Sequence, residues 1–267
     1  MTNPGRAVIF IPARFASTRY PGKPLVELTG ASGVAKSLIR RSWEAAKAVP
    51  EADDVYVLTD DDRIREAAEA FGAEVIMTST EARNGTERCA EAVAQLAEKP
   101  DIVVNLQGDA PLTPAWFVSD LIGVMRASAH VQVATPVLRC DAETLAHLVT
   151  DRREGRVGGT TAVMRSDGQA IYFSKEVLPY VGDLANPPVV HHHVGVYSYR
   201  PDALTQYGGW PEGTLERAEG LEQLRFIENG WPVTCVEVEG RGRVFWELNN
   251  PVDVERIETV LKKEGIE

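Results

Sequence analysis

Short, unbroken apolar runs alternate with helix-periodic stretches through the first half of the chain. Ala7-Val8-Ile9-Phe10-Ile11, Val55-Tyr56-Val57-Leu58-Thr59, Glu74-Val75-Ile76-Met77 and Ile102-Val103-Val104-Asn105-Leu106 read as strands. None alternates apolar with polar, as expected of parallel strands covered on both faces. Helical patterns fall between them, at 32–49, at 61–71 up to Gly72, and at 86–98. Strands separated by helices of about 10–15 residues predict βαβ units in a doubly wound sheet. Right-handed crossovers then gather the strand C-termini and their loops along one edge.

The second half is less regular. Strands are expected at 131–138, 161–165, 170–174, 194–199 and 233–238, with helices at 142–149, 214–228 and 251–263. Gly, Asp, Asn and two Pro mark 182–188 as a loop. No linker, repeat or low-complexity tract divides the chain. The expected fold is α/β, a doubly wound, mostly parallel sheet with a smaller β-rich insertion, all in one domain spanning 1–267.

Charge narrows the partners. The chain has 267 residues and a net charge of −11. An acidic surface argues against nucleic acid and anionic membranes, but a local cationic loop can still hold a small anion. Cys89, Cys140 and Cys235 are far apart and form no C-x-x-C pair, which fits a reducing compartment and no cysteine metal site. The apolar run before Pro12 is too short for a signal peptide, and no stretch approaches the roughly 18 residues needed to span a bilayer. A cytoplasmic protein is expected.

Two loops carry candidate chemistry. After the first strand, residues 12–24 (PARFASTRYPGKP) hold Arg14, Arg19 and Lys23 and no acid. Three prolines and Gly22 make a continuous helix there unlikely on steric grounds. Cations at a strand C-terminus suit a polyphosphate whose leaving group gathers charge. A solvated surface loop, its arginines paired with distant acids, fits the same composition. Neither G-x-x-x-x-G-K-[ST] nor G-x-G-x-x-G is present. After the fourth strand comes Asn105-Leu106-Gln107-Gly108-Asp109-Ala110-Pro111. Asp109 stands where a magnesium ligand would, since substrate phosphates can supply the remaining oxygens. A turn or helix cap is the alternative role for such an Asp. His191-His192-His193 cannot all face one ion, because neighbouring strand residues point to opposite faces. Asp60-Asp61-Asp62 reads as a helix N-terminus.

With PARFASTRYPGKPL, NGTERCAEA, NLQGDAPL, YFSKEVLPY, HHVGVYSYR and GLEQLRFIENG in this order and spacing, the chain resembles the 3-deoxy-manno-octulosonate (KDO) cytidylyltransferases from about Val8 to Ile257. The first motif together with LEQLR is specific; GTER or QGD alone is not. The resemblance implies a nucleotidyltransferase fold, magnesium and a homodimer. It also implies transfer of CMP from CTP to KDO with release of pyrophosphate, for lipopolysaccharide biosynthesis. Ala13, Arg14, Arg19 and Lys23 then match nucleotide positions, with Arg14, Lys23 and Asp109 central to catalysis. Gly85 and Thr86 approach the nucleotide, and Gln107 contacts substrate. His193, Tyr197, Glu222 and Gln223 match the sugar-acid side, where His193 would help bind the carboxylate.

Two departures accompany the resemblance. Ala110 stands where the family usually has Glu, and Asn249 where it has a second metal-binding Asp. An amide oxygen ligates magnesium without adding charge; Glu247 reaching in is the alternative. The departures leave room for another acceptor, such as an amino-KDO, a different ulosonic acid or a phosphonate. They also leave room for a weakly active nucleotide-binding protein.

Overall fold

The computed structural model describes residues 5–16, 20–157, 159–243 and 247–267. The first half forms β1 (Ala7–Pro12), β2 (Glu27–Thr29), β3 (Ala35–Ser37), α1 (Leu38–Lys47), β4 (Asp54–Thr59), α2 (Asp62–Ala70), β5 (Glu74–Met77), α3 (Gly85–Gln95) and β6 (Ile102–Leu106). The second half forms α4 (Ala115–Ala127), β7 (Val133–Arg139), α5 (Ala142–Arg153), β8 (Thr160–Met164), β9 (Ala170–Ser174), β10 (His191–His193), β11 (Val196–Tyr199), α6 (Pro201–Gly209), α7 (Thr214–Glu219), α8 (Leu224–Glu228), β12 (Thr234–Glu237) and α9 (Asp253–Glu264).

The apolar runs of the first half form the parallel core. β5, β4, β1 and β6 lie side by side, every pair parallel. Helices cover both faces, so the runs need no alternation. α1, α2 and α4 pack residues such as Ile39, Ile64 and Phe117 on one face. α3, α6 and α8 pack Cys89, Leu204 and Phe226 on the other. Asp61 caps α2 by accepting the Arg63 N–H at 3.0 Å, the helix-start role expected of the Asp60–Asp62 run.

The strands of the second half continue this sheet rather than forming a separate insertion. β11 pairs antiparallel with β6 and with β7, β10 with β7 and β8, and β8 with β9. The sheet is therefore a parallel core with an antiparallel extension. β12 runs parallel along β7 and occupies one of its edges, so β10 and β11 share the other. Their outer edges diverge, β10 toward β8 and β11 toward β6. The expected strand 194–199 therefore starts only at Val196, because the chain bulges before it. Between the pairs His193↔Val137 and Ser198↔Ala134 it advances five residues against three on β7. Pro136, which has no N–H to give, lies on β7 opposite this bulge. The sheet forks at Val194-Gly195, beside the C-terminal end of β6.

Two predicted helices differ most from the periodic pattern. The helix expected at 32–49 begins only at Leu38, because 27–37 fold as a hairpin whose turn holds Gly33 at φ +87°. The helix expected at 214–228 is split at Gly220, whose φ of +61° ends α7 in the left-handed region. The resulting turn presents Glu222 and Gln223. Helices α4 and α6 carry apolar faces that the sequence reading left unassigned. The loop expected at 182–188 is part of a longer irregular segment, 175–190.

The parallel pairing of β1 and β6 brings their exit loops into contact. A Cβ on Gly108 would stand 2.8 Å from the Pro12 carbonyl oxygen. Gly108→Ala is expected to cost about 1–3 kcal/mol, as overpacking does. Thermal unfolding would register it as a Tm lowered by several degrees; an unchanged Tm would show that the two loops separate freely.

Candidate functional site

The loop after β1 folds back on itself. The Ala13 N–H donates to the Leu58 carbonyl at 2.8 Å, anchoring the loop to the end of β4. The Gly22 N–H donates to the Phe15 carbonyl at 2.9 Å and closes the loop. Gly22 has φ +70°, and a Cβ there would lie 3.1 Å from the Phe15 ring, so this turn requires glycine. Phe15 is in turn covered by the Arg63 guanidinium, 3.3 Å above its ring. A 3-10 turn at Lys23–Leu25 follows. It aims Lys23 across the gap, where Nζ donates to Asp109 Oδ2 at 2.7 Å. Arg14 is exposed at the mouth of the same loop. Arg19 lies outside the described residues.

Asp109 is fixed from behind. Ser42 Oγ of α1 donates to the Gly108 carbonyl at 3.0 Å. The Leu248 N–H donates to the Asp109 carbonyl at 2.8 Å, which docks the segment bearing Glu247 and Asn249 beside it. Asn249 Nδ2 donates to Glu247 Oε2 at 3.2 Å. Asp253, at the start of α9, accepts the Asn249 and Asn250 N–H groups at 3.0 and 2.7 Å. The Glu247 carboxylate points toward the fork: its Oε1 would be 3.4 Å from a Cβ at Gly195. Among the described residues no group of three or more His, Cys, Asp or Glu side chains is arranged to hold a metal ion. Asp109, Glu247 and Asn249 offer hard oxygen donors, two of them charged.

A second group of predicted residues lines the other side of Gln107. Gln107 Nε2 and the Thr86 N–H at the start of α3 both donate to the Glu222 carboxylate, each at 3.1 Å. Burial of that carboxylate pushes its pKa up, against the lowering effect of these two donors. Gly85 allows the approach of α3, since a Cβ there would meet Asn105 Nδ2 at 3.1 Å and Pro12 Cγ at 3.2 Å. The Tyr197 hydroxyl donates to Gln223 Oε1 at 3.0 Å. Gln223 Nε2 is buried and has no partner among the described residues, so it retains a donor for a ligand.

His193 sits apart from charge. It is 6% exposed, its Nε2 is 2.9 Å from Thr135 Oγ1, and its ring packs between Phe173 and Tyr197. Burial, reinforced by His192, lowers its pKa to about 3. The histidine is therefore neutral at physiological pH. With the Thr135 hydroxyl donating to the Val196 carbonyl at 2.8 Å, the His193 Nε2–H donates to Thr135, so the neutral ring offers a sugar acid an acceptor at Nδ1 and no charge for its carboxylate. The three histidines do diverge: His191 faces Glu237 at 3.3 Å, while a Cβ on Gly159 would meet His192 Nε2.

Two contributors went unmarked in the sequence. Asn105 is fully buried, and neither its amide nitrogen nor its oxygen has a partner among the described residues. Its signal was a lone polar residue in the apolar run of β6. Arg225 is the other: its Nε and Nη2 grip Glu216 at 2.6 Å each, and its Nη1 reaches Glu87 of α3 at 2.9 Å. It stands in the GLEQLR motif, yet a buried arginine in a short amphipathic helix gives no functional signal of its own.

A parallel-core α/β sheet, a cationic loop and carboxylate at adjoining strand ends, and an amide-hydroxyl wall beside them define a nucleotidyltransferase. A family model described as cytidylyltransferase matches residues 8–239. A 3-deoxy-manno-octulosonate cytidylyltransferase of Maricaulis maris is 42% identical over 255 residues, covering 96% of each chain. A mitochondrial enzyme of that name from Arabidopsis thaliana is 36% identical, over 98% of this chain and 85% of its own. Among solved structures, a CMP:2-keto-3-deoxy-manno-octonic acid synthetase complexed with CTP superposes with a TM-score of 0.83 at 33% identity, covering 97% of this chain and 99% of that one. The chain belongs to the cytidylyltransferase family, in the branch of the 3-deoxy-manno-octulosonate enzymes.

The depressed pKa of His193 sets a pH dependence of stability. Unfolded, the ring takes a proton below about 6.5; folded, it does so only near 3. Its contribution is complete above pH 6.5 and is lost as pH falls from 6.5 toward 3, at up to about 1.4 kcal/mol per pH unit. Denaturant unfolding at pH 7, 6, 5 and 4 is expected to show a shallower decline in His193→Gln than in the wild type. Parallel declines would mean that the ring is accessible to protons in the folded chain.

Proposed function

We propose that the chain couples CTP to 3-deoxy-manno-octulosonate, giving CMP-KDO and pyrophosphate. The observation that carries this reading is the placement of the Lys23–Asp109 pair beside the Gln107, Thr86 and Glu222 cluster, with Gln107 and Asp109 on one exit loop of β6. One loop thereby serves both substrates, which is the requirement for an in-line transfer between them.

The residues divide the work. Arg14, Arg19 and Lys23 hold the triphosphate, and Lys23 stabilises the charge that develops on the departing pyrophosphate. Ala13, Gly85 and Thr86 bound the nucleotide with backbone groups. Gln107, Tyr197, Gln223 and Glu222 hydrogen-bond the hydroxyls of the sugar acid, and neutral His193 adds an acceptor. The anomeric hydroxyl attacks the α-phosphorus; a new P–O bond forms as the bond to the β-phosphate breaks. As CTP binds, Lys23 turns from Asp109 toward phosphate, which frees a carboxylate oxygen for the metal.

The donor set fits magnesium, which needs only one or two carboxylates when phosphates complete its shell. Asp109 would hold it, with Asn249 or Glu247 from the docked segment; when bound, the ion neutralises phosphate charge and acidifies the attacking hydroxyl. We further assign the protein to the cytoplasm and to a homodimer. No described helix is long and apolar enough to cross a membrane. Edge strand β9 and the segment after it expose Ile171, Tyr180, Leu184 and Val189, with Tyr180 86% exposed, and apolar exposure on a sheet edge suits association.

Pyrophosphate release from CTP, KDO and magnesium tests the activity. Release with KDO above that with other 2-keto sugar acids is expected; CTP binding with no release on any acceptor would contradict the reading. Lys23→Ala and Asp109→Ala should each lower kcat by about 100-fold or more, as loss of a transition-state contact does, with far-UV circular dichroism unchanged. Near-normal turnover in either would remove its assigned role. Glu222→Ala should raise the KM for KDO by about 10-fold, the loss of one or two charged hydrogen bonds, with little change in the KM for CTP. Equal changes in both would place Glu222 outside the sugar side.

A further inference from the structure

We propose that Arg225 is a positioning residue that clamps the sugar-side turn onto the nucleotide-side helix α3 and so sets the place of the Glu222 carboxylate. The proposal rests on the reading of Glu222 as a sugar-acid contact. Its basis is that α3 and the 220–225 turn are held together at two neighbouring points. At the first, the Thr86 N–H donates to Glu222 Oε2 at 3.1 Å. At the second, Arg225 Nη1 donates to Glu87 Oε1 at 2.9 Å. Thr86 and Glu87 are consecutive in the first turn of α3, and Glu222 and Arg225 lie three residues apart in the turn.

The clamp is rigid at each joint. Arg225 has a side chain 1% exposed, and its planar fork engages both oxygens of Glu216 at 2.6 Å. Such bidentate geometry fixes the guanidinium plane in a way that a lysine point charge does not. The guanidinium also stacks over Tyr207, whose ring centroid is 4.1 Å from Arg225 Cζ. The Tyr207 hydroxyl accepts from Asn84 Nδ2 at 2.9 Å and donates to the Glu222 carbonyl at 3.2 Å. Asn84 is the N-cap of α3, accepting the Glu87 N–H at 2.9 Å. The Arg225 N–H also donates to the Glu222 carbonyl, at 3.3 Å. Beside its bonds to Glu216 of α7 and to the Trp210 carbonyl at 3.4 Å, Arg225 is thus tied to the start of α3 and, directly and through Tyr207, to the backbone of Glu222.

The Glu222 carboxylate needs such a frame. Its placement otherwise depends on two donors, Thr86 and Gln107, one on a helix end and one on a loop. Both are groups that a bound substrate would also engage. A carboxylate that must stay in register while its neighbours exchange partners is held from behind by its own backbone.

The test is a double-mutant cycle on the KM for KDO, with the KM for CTP and kcat measured alongside. Arg225→Lys keeps the charge and loses the fork. It is expected to raise the KM for KDO by about 10-fold with the KM for CTP within about threefold. In the Glu222→Ala background the same substitution should add no more than about twofold, because residues acting through one group are non-additive. A general loss of packing would instead multiply in the double variant and would lower kcat and both affinities together. Additive effects, or an unchanged KM for KDO in Arg225→Lys, overturn the clamp while leaving the activity intact. A wild-type chain that releases no pyrophosphate from CTP and KDO overturns the reading of Glu222 and the clamp with it. If Arg225→Lys does not fold, the cycle runs with Glu87→Gln, which removes the ionic contact from α3 and keeps an oxygen acceptor; the same pattern is expected and the same outcomes overturn it.

Discussion

The parallel pairing of β1 with β6 is the constraint on which the site depends. It places Phe10 opposite Asn105, so the two chains leave the sheet side by side. The exit loops then touch through Gly108 and the Pro12 carbonyl, a contact that admits no side chain. From that contact the geometry follows: Lys23 on one loop meets Asp109 on the other at 2.7 Å. Neither residue is held by its own strand alone. The acidic chain uses its few clustered cations here, and the carboxylate they face is the one best placed to share them with a polyphosphate and its counter-ion.

In the proposed reading, the antiparallel half of the sheet supplies the sugar acid's wall. The bulge at Val194-Gly195 lets β11 pair with β6 and β10 with β8, and it leaves the His193 and Tyr197 rings in contact, 5.6 Å between centroids. Gly195 leaves room for Glu247 and Gln107 at the same point. The left-handed Gly220 turns the chain so that Glu222 and Gln223 approach from α8. Three separated segments thus converge on Gln107, which is the shared boundary of the two half-sites.

Much of this was legible in the sequence because it is local. The four apolar runs of the parallel core and their intervening helices follow from hydrophobic patterning over a few residues. The loop at 12–24 declared itself by its cations and prolines, and the Asp109 turn by its place after β6. What was not legible is non-local or depends on a single backbone angle. The hairpin at 27–37 imitates a helix start until the turn at Gly30–Gly33 is seen. The split of 214–228 hangs on one positive φ. The sheet fork depends on which edges β10 and β11 pair with, which no local pattern records. That burial holds His193 neutral well below its ordinary range depends on Phe173 and Tyr197, which pack against it from distant segments. Arg225 acts through a partner distant in the chain, Glu87 of α3, and Asn105 stands against Gly85 of the same helix.

The structure of the chain with CTP bound tests the central claim most directly, since it asks whether the contact between the β1 and β6 loops is the nucleotide site. The triphosphate is predicted to lie between Arg14 and Asp109, with Lys23 turned from Asp109 onto phosphate and the base against Gly85 and Thr86. A nucleotide bound elsewhere, with the Lys23–Asp109 pair still closed, would contradict it.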